Sequence, residues 1–352
     1  MAVGSVTARD VAREAGVSVG TVSRVFNNHS NVAPEIRLRV LQAAEQLAYV
    51  NPGPASANGH GLSEVGFLFS PINEGTVAAS NPFWGGILAG VETEALKSRI
   101  RLTYRSIGSL RQRPAELVSV VQGMRLGGAL VVGPAEAAVI QALQALQIPL
   151  VQVEGYIRGA GLDAVVSEGF EGGRQATAYM NEQGHRRIAH ITGPLAFGTR
   201  PRSDIYEIEL RAQGYRAALL DAELPVDEGL IEGSNLTPQG GYEACRRLLA
   251  RKAAFSAIFC ANDSTAIGAI RALREAGLAV PGDISVIGYG DDTDIVEHVT
   301  PALTTVRIDK EALGATALKR LIARAADPTG VATLTMLEVE LIKRESVQPP
   351  LR

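Results

Sequence analysis

Between Thr7 and Asn27 the chain reads T-A-R-D-V-A-R-E-A-G-V-S-V-G-T-V-S-R-V-F-N, with apolar and polar residues interleaved at helical spacing. Ala8, Val11, Ala12 and Ala15 recur at i, i+3, i+4 and i+7, giving a first helix one small apolar face. Gly16 supplies a tight turn where a Cβ would be strained. Ser18 stands where the next helix needs an N-cap. Val22 and Val25 bury that second helix, so Val19, Gly20, Thr21, Ser23, Arg24 and Asn27 lie on its outward side. A guanidinium there can fork onto guanine O6 and N7, which makes Arg24 the expected base reader. Val19 offers only methyl groups to a thymine, and Gly20 offers no side chain. Thr7, Ser18, Thr21, Ser23 and Asn27 are expected to hold phosphates and set the register.

A second set of polar residues stands at the ends of apolar runs. Glu154 ends the run beginning at Leu150, Asn262-Asp263 follows the run ending at Cys260, and Asp291-Asp292 follows the run ending at Gly288. Arg211 opens a helical pattern just before Gly214-Tyr215, and Trp84, the sole tryptophan, opens another in N-P-F-W. Asp263 and Asp292 are expected to serve as helix caps, because acids after strands commonly do.

The elements that position these groups follow from periodicity. Residues 32–49 read as a third helix, with Pro34 in its first turn, closing a small core through Ile36, Val40, Leu41, Ala44 and Leu47. N-P-G-P-A-S-A-N-G-H-G at 51–61 is a domain-bounding linker by composition. Beyond it, apolar runs predict strands at 65–69, 101–105, 129–132, 150–153, 188–191, 257–260 and 285–288. Helical patterns lie between them at 84–98, 114–124, 135–146, 171–183, 210–221, 239–250 and 263–276. Such alternation, with buried strands, predicts parallel sheets covered on both faces and split into two lobes. Ligands of doubly wound sheets bind outside the carboxyl ends of the strands, here between the lobes. The expected domains are a helix-turn-helix headpiece at 1–50, a linker at 51–62 and a two-lobed α/β body at 63–352.

Composition sets outer bounds. With 352 residues, 46% apolar and 20% charged, the chain is a folded protein of two or three domains. Cys245 and Cys260 read as small buried hydrophobes, and no metal-ligand spacing occurs. The N-terminus shows no secretory signal and no window suits a membrane span, so a cytoplasmic protein without membrane contact is expected. Net charge is −3 overall and only +1 over residues 1–60. A headpiece this neutral should bind DNA weakly alone, with a shallow salt slope, so dimerisation is needed. No G-x-G-x-x-G follows the first strand, no P-loop occurs, and the five histidines show no catalytic pattern; no cofactor is expected and an enzyme is disfavoured. A transport protein would have no use for residues 1–50.

The helix-turn-helix stretch and V-A-P-E-I-R-L-R-V-L-Q-A-A-E-Q-L-A-Y at 32–49 resemble the headpiece of the lactose and galactose repressor family. G-H-R-R-I-A-H-I-T-G at 184–193, F-C-A-N-D-S-T-A-I-G-A at 259–269 and V-P-G-D-I-S-V-I-G-Y-G-D-D at 280–292 extend the likeness, as do P-A-L-T-T-V and L-I-K-R-E-S nearer the end. The resemblance implies a ligand-responsive repressor with a periplasmic-binding-protein-like body, acting as a symmetric homodimer on palindromic operator DNA. It implies an effector, a sugar or sugar derivative, held by Glu154, Arg211, Asn262 and Asp291. Trp84 would cover its apolar face, with Phe83 turned to the core. The family's variable specificity pair falls on Val19-Gly20. Its minor-groove leucine position is occupied by Asn58, which implies weak wedging of the DNA. An acid-pair register shifted by Gly290, and an extended loop bearing Arg200 and Arg202, set the chain apart from the family pattern.

Overall fold

A computed structural model describes residues 7–26, 32–47, 49, 62–73, 75–195 and 205–351. The chain divides into two units, Met1–Ser63 and Glu64–Arg352.

In the first unit, α1 (Ala8–Glu14), α2 (Val19–Phe26) and α3 (Pro34–Gln46) enclose Val11, Ala12, Ala15, Val22, Val25, Val40, Ala43 and Ala44. Gly16 adopts φ +64 between α1 and α2, the left-handed turn that its lack of a Cβ allows. Two details of the expected core differ. Leu41 is 47% exposed and Ile36 is only half-buried, while Ala43 takes the inward position. Val40, Ala43 and Ala44 share the inward face of α3, while Leu41 lies off it.

The second unit holds two six-stranded sheets. The first lobe is built from β1 (Glu64–Phe69), α4 (Pro82–Ser98), β2 (Arg101–Ser106), α5 (Pro114–Met124), β3 (Gly128–Val132), α6 (Ala137–Gln144), β4 (Leu150–Val153) and β5 (Asp163–Ser167). The second runs through α7 (Gly169–Glu182), β6 (Ile188–Thr192), α8 (Tyr206–Asp221), β7 (Ile231–Gly233) and α9 (Pro238–Ala250). It continues with β8 (Ala257–Cys260), α10 (Asp263–Glu275), β9 (Ser285–Gly290), α11 (Thr293–Val296) and β10 (Thr304–Ile308). The chain then returns to the first lobe in α12 (Lys310–Ala326) and β11 (Leu334–Leu337), and crosses once more into β12 (Val339–Ile342). Strand order is β11-β5-β4-β3-β1-β2 in one sheet and β12-β10-β9-β8-β6-β7 in the other. All pairs are parallel except β10 with β12.

The strands read from the sequence are present, and five more join them: β5, β7, β10, β11 and β12. Helix α12 is a further addition, and its stripe of Leu313, Ala317, Leu318 and Leu321 was there to be read. β7 is three residues long and β11 is only half-buried, so neither carries a run long enough to stand out. Helix α8 begins at Tyr206, earlier than expected, which puts Arg211 in its second turn instead of at its start. Both cysteines are free and buried in the second lobe's core. Among the described residues no helix is long and apolar enough to cross a membrane, and no group of side chains could hold a metal ion.

Candidate functional site

Two candidate sites exist, one in each unit. In the headpiece, Ser18 caps α2 by accepting the Thr21 N–H at 3.1 Å, and its hydroxyl lies 2.9 Å from that of Thr21. Thr7 precedes α1, and its N–H and hydroxyl both donate to the Asp10 carboxylate, at 2.9 and 2.6 Å. Arg37 on α3 donates to the Val25 carbonyl at 3.2 Å, tying the third helix to the second. Ser18, Val19, Gly20, Ser23 and Arg24 are exposed, Val19 by 44%, and Thr21 is half-buried. The outward face expected of α2 is therefore present. Asn27 and Asn58 lie outside the described residues, as do the linker core and Arg200 and Arg202.

In the body, a cavity opens between the lobes at the carboxyl ends of the strands. It offers about 190 Å³ of water-accessible space, or about 950 Å³ with its open mouth counted. The first lobe contributes Asn73, Thr76, Asn81, Phe83, Trp84, Pro134 and Glu154. The second contributes Glu207, Ile208, Arg211, Leu236, Thr237, Asn262, Ser264, Tyr289 and Asp292.

Arg211 stands at the centre of the polar wall. Its Nη1 donates to the Ala261 carbonyl at 2.8 Å, and the guanidinium carbon lies 3.9 Å from the centre of the Tyr289 ring. Glu154 lies 3.8 Å away across the lobes. Close packing of α7 on α8 sets this position. A Cβ on Gly173 would run into the Arg211 backbone, and one on Gly214 would run into the Phe170 carbonyl. Glu154 adopts φ +47 at the end of β4, which turns its carboxylate to the Ser167 N–H and the cavity. Burial pushes the Glu154 carboxyl up, and the Arg211 charge opposes this.

Trp84 lines the cavity with 9% of its surface exposed, edge-on to Phe69 and Phe83 at 5.4 and 4.8 Å. Asn81 caps α4 and thereby sets both rings, accepting the N–H groups of Phe83 and Trp84 at 3.1 and 3.2 Å. Phe83 does not face the core as expected. It is half-buried and lines the cavity beside Trp84, in the first turn of α4 that the Asn81 cap holds.

The acid pair is also corrected. Asp291 is not a cavity residue: its carboxylate accepts from Arg307 at 2.7 Å and from Arg344 at 2.8 Å, with 1% of the side chain exposed. The extra Gly290 (φ +128) and the left-handed Asp291 (φ +52) turn that side chain away from the cleft. Asp292 faces the cavity instead, 3.1 Å from Lys310, and no capping bond of its side chain to α11 is present. Asp263 likewise does not cap. It lies behind Asp292, accepting the Thr305 hydroxyl at 2.5 Å and the Asp292 N–H at 3.0 Å. Burial and the neighbouring Asp292 charge push its carboxyl up to about 7.

Asn262 lines the cavity, but both ends of its amide are engaged. Its oxygen caps α10 through the Thr265 N–H at 2.8 Å, and its Nδ2 donates to the Leu236 carbonyl at 2.9 Å. Sequence reasoning missed Glu207, in the first turn of α8. It is 2% exposed, and its Oε1 has no hydrogen-bond partner among the described residues. Burial, then the Glu154 charge, push its carboxyl up as well. Its signal was a glutamate in a helix read as starting four residues too late.

Each of the two units has counterparts among known proteins. A model of bacterial regulatory proteins of the lacI family matches residues 7–51, and one of periplasmic binding protein-like domains matches residues 177–347. The chain is 34% identical over 352 residues to the HTH-type transcriptional repressor PurR of Yersinia pestis, covering 97% of this chain and 96% of that protein. It is 29% identical to the ribose operon repressor of Haemophilus influenzae over 342 residues, 97% of this chain and 98% of the relative. A solved complex of the transcriptional regulator CelR with cellobiose superimposes with a TM-score of 0.72 at 32% identity, covering 97% and 99% of the two chains.

Proposed function

The chain belongs to the LacI family of bacterial regulatory proteins, and from that premise we propose that it represses carbohydrate-utilisation genes under the control of a sugar-like effector bound between its lobes. It is a ligand-responsive DNA-binding transcription regulator and not an enzyme. One observation carries the finer reading: a helical unit with an outward polar face shares a chain with a two-lobed body whose cleft gathers a guanidinium, carboxylates and aromatic rings. A guanidinium fork and carboxylate acceptors suit vicinal hydroxyls, while Trp84 and Phe83 suit the apolar face of a sugar ring. The neighbour in complex with cellobiose and the ribose operon repressor support that chemistry.

On DNA, Arg24 reads a guanine and Val19 contacts a thymine methyl, while Thr7, Ser18, Thr21, Ser23 and Asn27 hold phosphates. Residues 51–62 form the hinge, and Asn58 meets the minor groove without an apolar wedge. The nearly neutral headpiece calls for two copies, so the working form is a homodimer on a palindromic site in the cytoplasm, where operator DNA lies. The effector cleft consists of Trp84, Glu154, Arg211 and Asn262, with Asp292 in the place expected for Asp291. The effector biases the equilibrium between lobe arrangements by its differential affinity for them, and so changes operator affinity.

Trp84 is the sole tryptophan and lines the cleft, so its emission reports occupancy directly. The test titrates a panel of sugars, following Trp84 emission and operator affinity together. A sugar that shifts both supports the reading. A sugar that shifts neither, across the whole panel, refutes it.

A further inference from the structure

We propose that the effector carries a positively charged amino group and that Glu207 is the side chain that recognises it. This rests on the cleft being the effector site. Among the described residues that line the cavity, three are acids (Glu154, Glu207 and Asp292) and one is a base, Arg211. Asp292 has Lys310, at the start of α12, at 3.1 Å, and Glu154 has Arg211 at 3.8 Å. Glu207 is the acid left over. The residue is 2% exposed, it borders the cavity, and its Oε1 has no hydrogen-bond partner among the described residues.

A buried carboxyl with an orphan oxygen is costly unless something entering the site satisfies it. Among the described residues, the charged and titratable groups around it are Glu154 at the end of β4, Arg211 on α8, Asp292 and Tyr289 from the β9 end, and Lys310. The two cations of that set are matched by the two other acids, so an anionic ligand gains no net positive charge from it. An ammonium meets an uncompensated acid, and it finds Trp84 and Phe83 lining the same space, whose ring faces attract cations. In the empty site, burial and the Glu154 charge favour the protonated form of Glu207. An entering ammonium displaces that proton to solvent and takes its place beside the carboxylate. An amino sugar joins this requirement to the hydroxyl-binding character of Arg211 and Glu154.

The test uses the full-length chain at a pH where the amine is charged, with glucosamine, glucose and glucose 6-phosphate, then galactosamine and galactose, as probes of Trp84 emission. Each amino sugar should bind at least about tenfold more tightly than its neutral parent, and the phosphate most weakly. In Glu207→Gln, a substitution of the same size, the amino preference should disappear. Calorimetry in buffers of different ionisation enthalpy should show about one proton released in the wild type and none in Glu207→Gln. Equal or tighter binding of the neutral parent, or a preference retained in Glu207→Gln, overturns the proposal. If no sugar of either kind binds, the sugar reading of the cleft fails. Ethanolamine against ethylene glycol, followed by thermal stability, then decides the charge reading by itself: equal effects of the two refute it.

Discussion

Replacing Asp263 with asparagine should reverse sign in its effect on stability as pH rises. Asp263 is 1% exposed at the start of α10, and its carboxyl is pushed up from an ordinary 3.8 to about 7 by burial and by the facing Asp292. The folded protein therefore holds this proton more tightly than the unfolded chain does. Its contribution to stability is complete below about pH 4, is lost progressively as pH rises, and levels off above about pH 7. At 1.36 kcal/mol for each pH unit between those values, the loss comes to about 4 kcal/mol. Asparagine has no proton to lose. It keeps one oxygen for the Asp292 N–H, while its amide faces the Thr305 hydroxyl, which must turn to accept. That exchange costs about 1 kcal/mol. Asp263→Asn should thus be about 1 kcal/mol less stable than wild type near pH 3 and about 3 kcal/mol more stable at pH 8.5. Thermal unfolding followed at both pH values would show the variant's midpoint several degrees below wild type at the first and about 6–12 °C above at the second. Other buried acids, Glu154 and Glu207 among them, titrate alike in both proteins and cancel in the difference. A difference that stays constant with pH would mean that the Thr305 hydroxyl and the Asp292 N–H keep Asp263 ionised, and the reasoning from burial would be wrong.

Three further outcomes are expected. Arg211→Lys keeps the charge beside Glu154 but loses the fork that reaches the Ala261 carbonyl and covers Tyr289, so the responding sugar should bind about 10- to 150-fold more weakly by Trp84 titration; unchanged affinity would make Arg211 an internal strut. Arg24→Ala should lose more affinity for the specific operator than for random DNA, by about 1–3 kcal/mol in gel-shift or anisotropy measurements, whereas equal losses would make Arg24 a phosphate contact. Asp163, paired with Arg320 and Arg324 at 2.8 and 2.7 Å, has its carboxyl held down at about 2 by those partners against its burial. Asp163→Asn should lower stability by about 2 kcal/mol near neutral pH, with the deficit shrinking as pH falls from 4 towards 2; a deficit independent of pH would contradict the ion-pair account.

Much of this protein was legible in its order of residues. The Ala8–Ala15 stripe, the Gly16 turn and the Ser18 cap are local devices, each acting within one helical turn, and the structure holds them where spacing placed them. Strands β1, β3, β4, β6, β8 and β9 were equally plain, because a parallel strand buried on both faces must be apolar along its length. Arg211, Glu154 and Trp84 converge because strand ends and helix starts of such sheets all point to one crevice. What long-range packing decided is of a different kind. β11 and α12 belong to the first lobe although nearly the whole second lobe precedes them, and no local pattern records which strand an edge will join. One inserted glycine rotated the chain so that Asp292, not Asp291, meets the cavity, a choice made by the waiting Arg307 and Arg344 from β10 and the segment after β12. Glu207 fell in the extended loop read ahead of the helix expected at 210–221. Its burial depends on α7 and the first lobe closing over it, and whether a charge is solvated is a property of the surrounding volume, which spacing along a chain does not encode.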